Sequence, residues 1–303
     1  MLWTEKYRPY YLSEIVGQYG FIMDAENWVE NKNMPNVLLY GVAGTGKTAA
    51  SGALANETLG EYKQSNFIEL NASDDRKLET VRTKIKEIAS TSKIGDVPYK
   101  IILLDEMDGM TKDAQNALKR IMERYADNCR FILTCNDRSK VIYPLQSRCA
   151  NYQFTRLSDE NIKLILEKIL EQENHKLPDN EDIEAFIGGL HGDIRRGITE
   201  LQASIASNSP LSKVTKQSLE PYSEIIKMIL ENKYENALDK LHSRIYQVTD
   251  MNTVCINLHD AVLDTNMTQT KKFQLLKIIG EAEWRSRSTT PKLLCSWLIG
   301  KTM

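Results

Sequence analysis

Paired cysteines and long hydrophobic runs are absent from this 303-residue sequence. None of the five cysteines forms a CxxC pair, so the usual zinc-binding spacings are missing, and their odd number favours free thiols in a reducing compartment. No apolar run approaches the about 18 residues of a membrane-spanning helix, so we expect no membrane span. The N-terminal residues MLWTEKYRPYY lack the apolar core of a secretory signal, which predicts a protein that is not secreted.

The sequence also lacks an excess of charge of one sign. Lysine and arginine number 39 and the acidic residues 41, which leaves a net charge of -2. With 42% apolar and 26% charged residues, the composition is that of an ordinary globular chain and excludes a collagen-like or disordered one. If the protein binds nucleic acid, its positive charge must be concentrated locally.

Short apolar runs alternate with helical patterns between residues 36 and 155. Because strands of four or five residues alternate with helices of twelve or more, the pattern predicts an α/β domain with a parallel sheet and helices on both faces. The predicted strands are 37–40, 67–70, 101–104 and 130–134, and the predicted helices are 47–59, 76–91 and 112–125.

The alternation stops after Phe154. Residues 158–173 form an amphipathic helix pattern that Ser158 caps, and residues 181–188 and 194–207 predict two more helices. The segment SNSP at 207–210 is rich in turn residues and predicts a linker, after which residues 217–303 are helical in pattern. We therefore predict three domains: α/β over 1–155, small and helical over 156–212, and all-helical over 213–303.

A glycine-rich segment follows the first predicted strand and opens a helix. Its pattern, GxxxxGK[ST], is the phosphate-binding P-loop, and in this strand–loop–helix context it is much more specific than an ordinary glycine-rich turn. The backbone N–H groups and the helix N-terminus suit a phosphate, Lys47 reaches the β- and γ-phosphates of a nucleotide, and the Thr48 hydroxyl takes a Mg²⁺ position. The predicted nucleotide-binding residues here are Gly41, Val42, Ala43, Gly44, Thr45, Gly46, Lys47, Thr48 and Ala49.

Two acidic residues end the apolar run 101–104. Asp105 is the candidate ligand of Mg²⁺, directly or through water, and Glu106 the candidate general base that polarises an attacking water. A solvated acidic turn is the alternative, but it is a weak one beside a P-loop. The pair predicts ATP hydrolysis in addition to nucleotide binding.

Several segments, in order along residues 3–202, resemble the AAA+ clamp loaders, and among them the replication factor C small subunit family. The collar, the last third of such chains, is matched only by helical pattern and by Glu283-Trp284-Arg285. This sequence departs from the family at Val42-Ala43, where Pro-Pro is usual, at Met107, where alanine is usual, and at Gly197. The matching segments are WTEKYRP (3–9), IVGQ (15–18), the P-loop, NASDDR (71–76), DEMD (105–108), DAQNALKR (113–120), SRC (147–149) and GDIRR (192–196).

The resemblance implies roles for residues outside the phosphate site. Asn136 would be sensor 1, Arg148 an arginine finger that acts in trans on the ATP of the next subunit, and Arg195 the sensor 2 of the helical lid domain. From residue type alone, the alternatives are that Asn136 is a turn residue, that Arg148 is an ordinary surface arginine, and that the N-terminal aromatic residues only cover the core. The implied adenine-pocket residues are Thr4, Tyr7, Arg8, Pro9 and Val16.

One stretch of the chain is basic. Residues 76–100 contain seven basic and three acidic residues, a net charge of +4. Arg82 and Lys86 are spaced i, i+4 and share a helix face that suits sequence-independent phosphate contact, which the family's DNA-tracking helix also implies. A merely solvated helix face is the alternative. No base-reading motif is present, so recognition would be of duplex shape and junction.

The resemblance implies an ATP- and Mg²⁺-dependent ATPase subunit that opens a sliding clamp and loads it onto primer–template DNA in replication. Its partners would be the clamp, a large subunit, further copies of the small subunit and the DNA. We expect a cytoplasmic or nucleoid-associated location, or a nuclear one in a eukaryote. The alternatives are another AAA+ DNA motor, such as a branch-migration helicase or an origin-binding initiator, and a non-catalytic scaffold subunit.

Overall fold

The computed structural model describes residues 1–72, 81–175, 180–207, 211–245, 251–286 and 288–303. These form two compact units, Met1–Asn208 and Ser209–Met303. The first residues of the predicted helix 76–91 and most of the predicted linker lie outside the described residues, and the three-domain division remains a prediction.

A five-stranded parallel sheet is the centre of the first unit. The strands lie in the order β2-β3-β4-β1-β5, and every neighbouring pair is parallel. All four predicted strands are present, which confirms the α/β prediction. Their bounds are β1 Val37–Tyr40, β2 Phe67–Asn71, β3 Lys100–Asp105, β4 Cys129–Cys135 and β5 Ala150–Gln153.

The fifth strand, β5, has no counterpart among the predicted strands. It pairs through its backbone with β1 alone, and its side chains alternate between partly buried and exposed positions. An edge strand that carries Asn151 and Gln153 has no continuous apolar run, so its sequence ANYQ gives no strand signal.

Ten α-helices accompany the sheet in the described residues of the first unit. The π-helical turn Val81–Ile85 leads into α5. The helix bounds are α1 Trp3–Lys6, α2 Tyr19–Glu30, α3 Lys47–Leu59, α4 Lys63–Asn66, α5 Lys86–Ser90, α6 Lys112–Arg124, α7 Tyr143–Gln146, α8 Asp159–Gln172, α9 Asn180–Gly188 and α10 Ile194–Ser207.

Apolar side chains on both faces of the sheet hold these helices in place. Successive residues of a strand point to opposite faces, so Leu39 packs with Ala53 of α3 on one face, while Leu38 belongs to the cluster of Leu118 of α6 on the other. Because both faces are covered, the central strands contain continuous apolar runs, as the sequence pattern predicted.

Helices alone follow β5 in the described part of the first unit. The Ser158 Oγ accepts a hydrogen bond from the Asn161 N–H at 3.3 Å, which confirms Ser158 as the N-cap of α8. The described residues of the second unit contain five helices and no strand, around one apolar core. Their bounds are α11 Leu211–Leu230, α12 Tyr234–Ile245, α13 Met251–Asp264, α14 Gln269–Arg285 and α15 Pro291–Thr302. Within the described chain, none of the helices has the length and apolarity to cross a membrane.

The central β4 residue Phe131 is fully buried, so its truncation should open a cavity. We expect Phe131→Ala to lower the free energy of unfolding of the first unit by about 3–5 kcal/mol. Leu164→Ala is the control, because that side chain is 57% exposed and its loss should change stability by less than about 0.5 kcal/mol. Denaturant titration measures both, and equal effects of the two substitutions would contradict the assignment of Phe131 to the core.

Candidate functional site

The polar residues of the candidate site lie at the carboxyl ends of three adjacent strands. Because β3, β4 and β1 are parallel neighbours, the loops after these strands meet at one edge of the sheet. The P-loop connects β1 to α3, Asp105 ends β3, and Asn136 follows β4. The strand order therefore brings together segments that are about 60 and 90 residues apart in the chain.

Two glycines of the P-loop have backbone conformations and surroundings that exclude a side chain. Gly41 has φ 146°, and a Cβ there would lie 2.1 Å from the backbone oxygen of Phe154. Gly44 has φ 77°, and a Cβ there would lie 2.1 Å from a carboxylate oxygen of Asp193. Asp193 immediately precedes α10, so the second contact also places the start of α10 against the P-loop.

Lys47 is buried within the P-loop, with 8% of its surface exposed. Its Nζ donates hydrogen bonds to the carbonyl oxygens of Gly41 and Val42, at 2.7 and 2.9 Å, and to Oδ1 of Asn136 at 3.1 Å. Burial lowers the pKa of Lys47, although the nearby Asp105 carboxylate opposes this shift. Because these hydrogen-bond acceptors are neutral, the ammonium group is suited to bind an anion such as a phosphate.

The Asp105 carboxylate connects the P-loop helix to β3 and β4. Thr48 Oγ1 donates to Asp105 Oδ2 at 2.9 Å, and the Thr134 hydroxyl donates to Asp105 Oδ1. A hydroxyl and a carboxylate are the hard oxygen ligands that Mg²⁺ prefers. The described residues contain no cluster of three or more His, Cys, Asp or Glu side chains.

Glu106 has a left-handed backbone conformation, with φ 57°. Its N–H donates to Thr134 Oγ1 at 3.2 Å, and its carboxylate accepts a hydrogen bond from Asn71 Nδ2 at 3.4 Å. Such a conformation costs a non-glycine residue about 1–2 kcal/mol and is found where the surroundings enforce it. The backbone therefore turns just after Asp105 and leaves the exposed Glu106 side chain at the same edge of the sheet.

Two residues of the site had no role in the sequence analysis. Asn71 lies opposite Asp105 in the β2–β3 register, which places its amide beside Glu106. Asp108 accepts the Asn136 N–H at 3.2 and 3.3 Å on its two carboxylate oxygens and so holds the residue whose side chain meets Lys47. Both residues belong to segments that resemble the family, but their contacts follow only from the way the strand ends meet in three dimensions.

The predicted adenine-pocket residues lie in an N-terminal segment that contacts both the P-loop helix and the helices after β5. Arg8 Nη2 donates to the Thr48 carbonyl oxygen at 3.2 Å. The Tyr7 hydroxyl donates to Glu173 Oε1 at 2.6 Å, and the Trp3 N–H donates to Gln202 Oε1 at 2.9 Å. The other three members of the set, Thr4, Pro9 and Val16, are partly buried. Contact of this segment with a base remains a prediction.

The structure distinguishes the two arginines at the start of α10. Arg196 Nε donates to Glu200 Oε1 at 2.6 Å, so its guanidinium is already paired. Arg195 is exposed, and its positive charge contributes, as the smallest cause, to the lowered pKa of Lys47. Arg195 is therefore near enough for its charge to act on Lys47, and its contact with phosphate remains a prediction.

The remaining predicted residues lie elsewhere. Arg148, just before β5, has its described side-chain contacts with Glu123 and Pro144 and none with the P-loop. Lys86 is exposed at the start of α5, whereas the side chain of Arg82 lies outside the described part of the chain. The structure thus gathers Lys47, Thr48, Asp105, Glu106 and Asn136 into one site, near Arg195, and leaves Arg148 apart from it.

Comparisons with known proteins agree with this geometry. Residues 37–157 match the model of the ATPase family associated with various cellular activities (AAA). Replication factor C small subunits of Methanococcus maripaludis and Archaeoglobus fulgidus are each 39% identical, over 93% and 94% of this chain and 92% and 91% of the relatives. That of Methanosarcina acetivorans is also 39% identical, over 94% of this chain and 89% of the relative. A Thermotoga maritima RuvB structure aligns with a TM-score of 0.58 at 17% identity, covering 75% of this chain and 80% of that chain, and shows a shared fold.

Removal of the Lys47 ammonium should abolish most of the nucleotide-dependent stabilisation. At a nucleotide concentration of about 100 times Kd, binding adds about 2.7 kcal/mol to the free energy of unfolding. We expect ATP to raise the unfolding temperature of the wild type and of the exposed-lysine control Lys112→Ala, and to raise that of Lys47→Ala much less. Thermal unfolding with and without ATP measures this, and an undiminished shift in Lys47→Ala would place the phosphate site elsewhere.

Proposed function

The chain belongs to the replication factor C small subunit family, and we propose that it uses ATP and Mg²⁺ to load a sliding clamp onto primer–template DNA. It is an ATPase subunit of a clamp loader. The observation that carries the proposal is the convergence of Lys47, the Thr48–Asp105 pair and Glu106 at one edge of the sheet. A scaffold subunit that does not hydrolyse ATP has no need of this arrangement.

Thr48 and Asp105 are the residues that would hold Mg²⁺, whose chemistry is to neutralise charge on the β- and γ-phosphate oxygens. Lys47 binds the same phosphates from within the loop. Since its pKa is lowered by burial, its ammonium form is lost at a lower pH than that of an exposed lysine. ATP affinity should therefore weaken on the alkaline side as the Lys47 ammonium loses its proton.

Glu106 accepts the proton of the attacking water, and Asn71 holds its carboxylate by a hydrogen bond at 3.4 Å. Asn136, fixed by Asp108 through its backbone, orients the water or contacts the γ-phosphate through its side-chain amide. Arg195 approaches the same phosphates from the start of α10 and distinguishes ATP from ADP. Arg148 supplies a positive charge to the ATP of the adjacent subunit.

The proposed partners follow from the proposed role of Arg148 in the adjacent subunit. An arginine that acts in trans requires further copies of the chain or other subunits of the same kind, and a large subunit completes the assembly. The clamp and the primer–template DNA are the objects on which it acts. A branch-migration helicase or an initiator is not favoured, because the relatives that cover nearly the whole chain are replication factor C small subunits, whereas the likeness to RuvB shows the fold alone.

Glu106→Gln should separate ATP binding from hydrolysis. Glutamine retains the size and hydrogen bonding of glutamate but cannot take the proton, so we expect unchanged ATP affinity and a fall in kcat of about 10²–10⁴. Clamp–DNA complexes should accumulate because release follows hydrolysis. Glu30→Gln, an exposed acid at the end of α2, is the control. Loss of nucleotide binding in Glu106→Gln would indicate a structural role instead.

Replacement of both Arg82 and Lys86 by alanine tests the proposed DNA face. Each phosphate contact contributes about 0.9 to the slope of log K against log salt on duplex DNA, so the double change should flatten the slope by up to about 1.8. Basal ATP hydrolysis without DNA should remain near normal and its stimulation by DNA should fall. Lys163→Ala with Lys168→Ala, on α8, is the matched control. An unchanged slope in salt titrations on primed DNA would mean that DNA is held elsewhere.

A further inference from the structure

Arg148 is held by an acidic residue from a different part of the chain. Its Nε donates to Glu123 Oε1 at 2.7 Å, and its Nη2 lies 2.5 Å from the same oxygen. Glu123 is in the last turn of α6, 25 residues before Arg148. The ion pair therefore connects the end of α6 to the segment that leads into β5.

A second contact fixes the rotation of the guanidinium plane. Nη1 of Arg148 donates to the Pro144 carbonyl oxygen at 2.7 Å, and the Arg148 backbone N–H donates to the Leu145 carbonyl oxygen at 3.0 Å. Arginine has five side-chain N–H groups, and the contacts of Nε and Nη2 with Glu123 and of Nη1 with Pro144 use three of them. Among the described residues, one N–H on each terminal nitrogen is left, as a pair of donors that can bind two phosphate oxygens.

The exposure of the pair indicates what the contact contributes. The side chains of Arg148 and Glu123 are 36% and 49% exposed, and surface ion pairs of this kind add little to stability. Their main physical effect is to restrict the rotamers of a long flexible side chain. When an interface closes over the arginine, the carboxylate also lowers the cost of removing the guanidinium from water.

We propose that Glu123 is a positioning residue that presents Arg148 to the γ-phosphate of the ATP bound by the adjacent subunit. This inference rests on the proposed function, in which Arg148 acts in trans. Glu123 holds the side of the guanidinium that carries Nε, so that the remaining N–H of each terminal nitrogen faces outward before the adjacent subunit binds. The side chain then loses less rotational freedom during the reaction.

The test compares variants of the full chain in its assembly with the other subunits. Glu123→Gln keeps the side-chain length and removes the charge, whereas Glu123→Asp keeps the charge and shortens the reach. Asp127→Asn is the control, because Asp127 is an exposed acid just beyond the same helix. The measurements are kcat and KM for ATP, ATP affinity, the mass of the assembly and the unfolding temperature.

We expect Arg148→Ala to lower kcat on the order of 10³-fold. Glu123→Gln and Glu123→Asp should each lower kcat roughly tenfold, because a small misplacement of a reacting group costs one to two orders of magnitude. ATP affinity, assembly mass and unfolding temperature should match the Asp127→Asn control. When Arg148 is already replaced by alanine, Glu123→Gln should not lower kcat further, because Glu123 acts only by positioning the arginine.

The outcomes separate the two proposals. If Arg148→Ala leaves kcat unchanged, the trans role of Arg148 is wrong, and the positioning role of Glu123 is wrong with it. If Arg148→Ala lowers kcat but both Glu123 variants match Asp127→Asn, only the positioning role is overturned. A rise in kcat for Glu123→Gln would also overturn it, because the ion pair would then hold the arginine away from the phosphate.

Discussion

Parallel pairing of β3, β4 and β1 is the constraint on which the rest of the site depends. Each strand enters from the same side, so Asp105, Asn136 and the P-loop must all appear at one edge. The hydrogen bonds between Thr48 and Asp105, and between Lys47 and Asn136, then join the three strand ends into a single polar cluster. Without this strand order the motifs would be present in the sequence but would not meet.

The apolar strands and the P-loop could be predicted from the sequence because their signals are local. Four-residue apolar runs, a cap at Ser158 and the glycine pattern each depend on neighbours within a few positions. The edge strand β5 was missed because its residues are partly polar, and Asn71, Asp108 and Glu123 because their partners are 25 to 35 residues away. A motif identifies Glu106 but not the amide that holds it, since that contact follows from the register of β2 against β3.

The nucleotide site is also connected to the helices after β5. Asp193 contacts the P-loop at Gly44, while Tyr7 and Trp3 form hydrogen bonds with Glu173 and Gln202. A segment that touches both the P-loop helix and these helices can transmit a change in the nucleotide to the helices through a small rigid movement. The same contacts supply the differential interactions that a switch between nucleotide states requires.

The left-handed backbone at Glu106 has a consequence for how this chain can evolve. Glycine or asparagine would adopt that conformation at lower energy, so selection for stability alone would replace the glutamate. The residue that the backbone favours and the residue that the reaction needs are therefore different at this position. A copy of the gene released from the need for turnover should drift toward glycine or asparagine here, gain stability and keep its fold. The identity of this one side chain would then distinguish subunits that hydrolyse ATP from copies that have lost this activity.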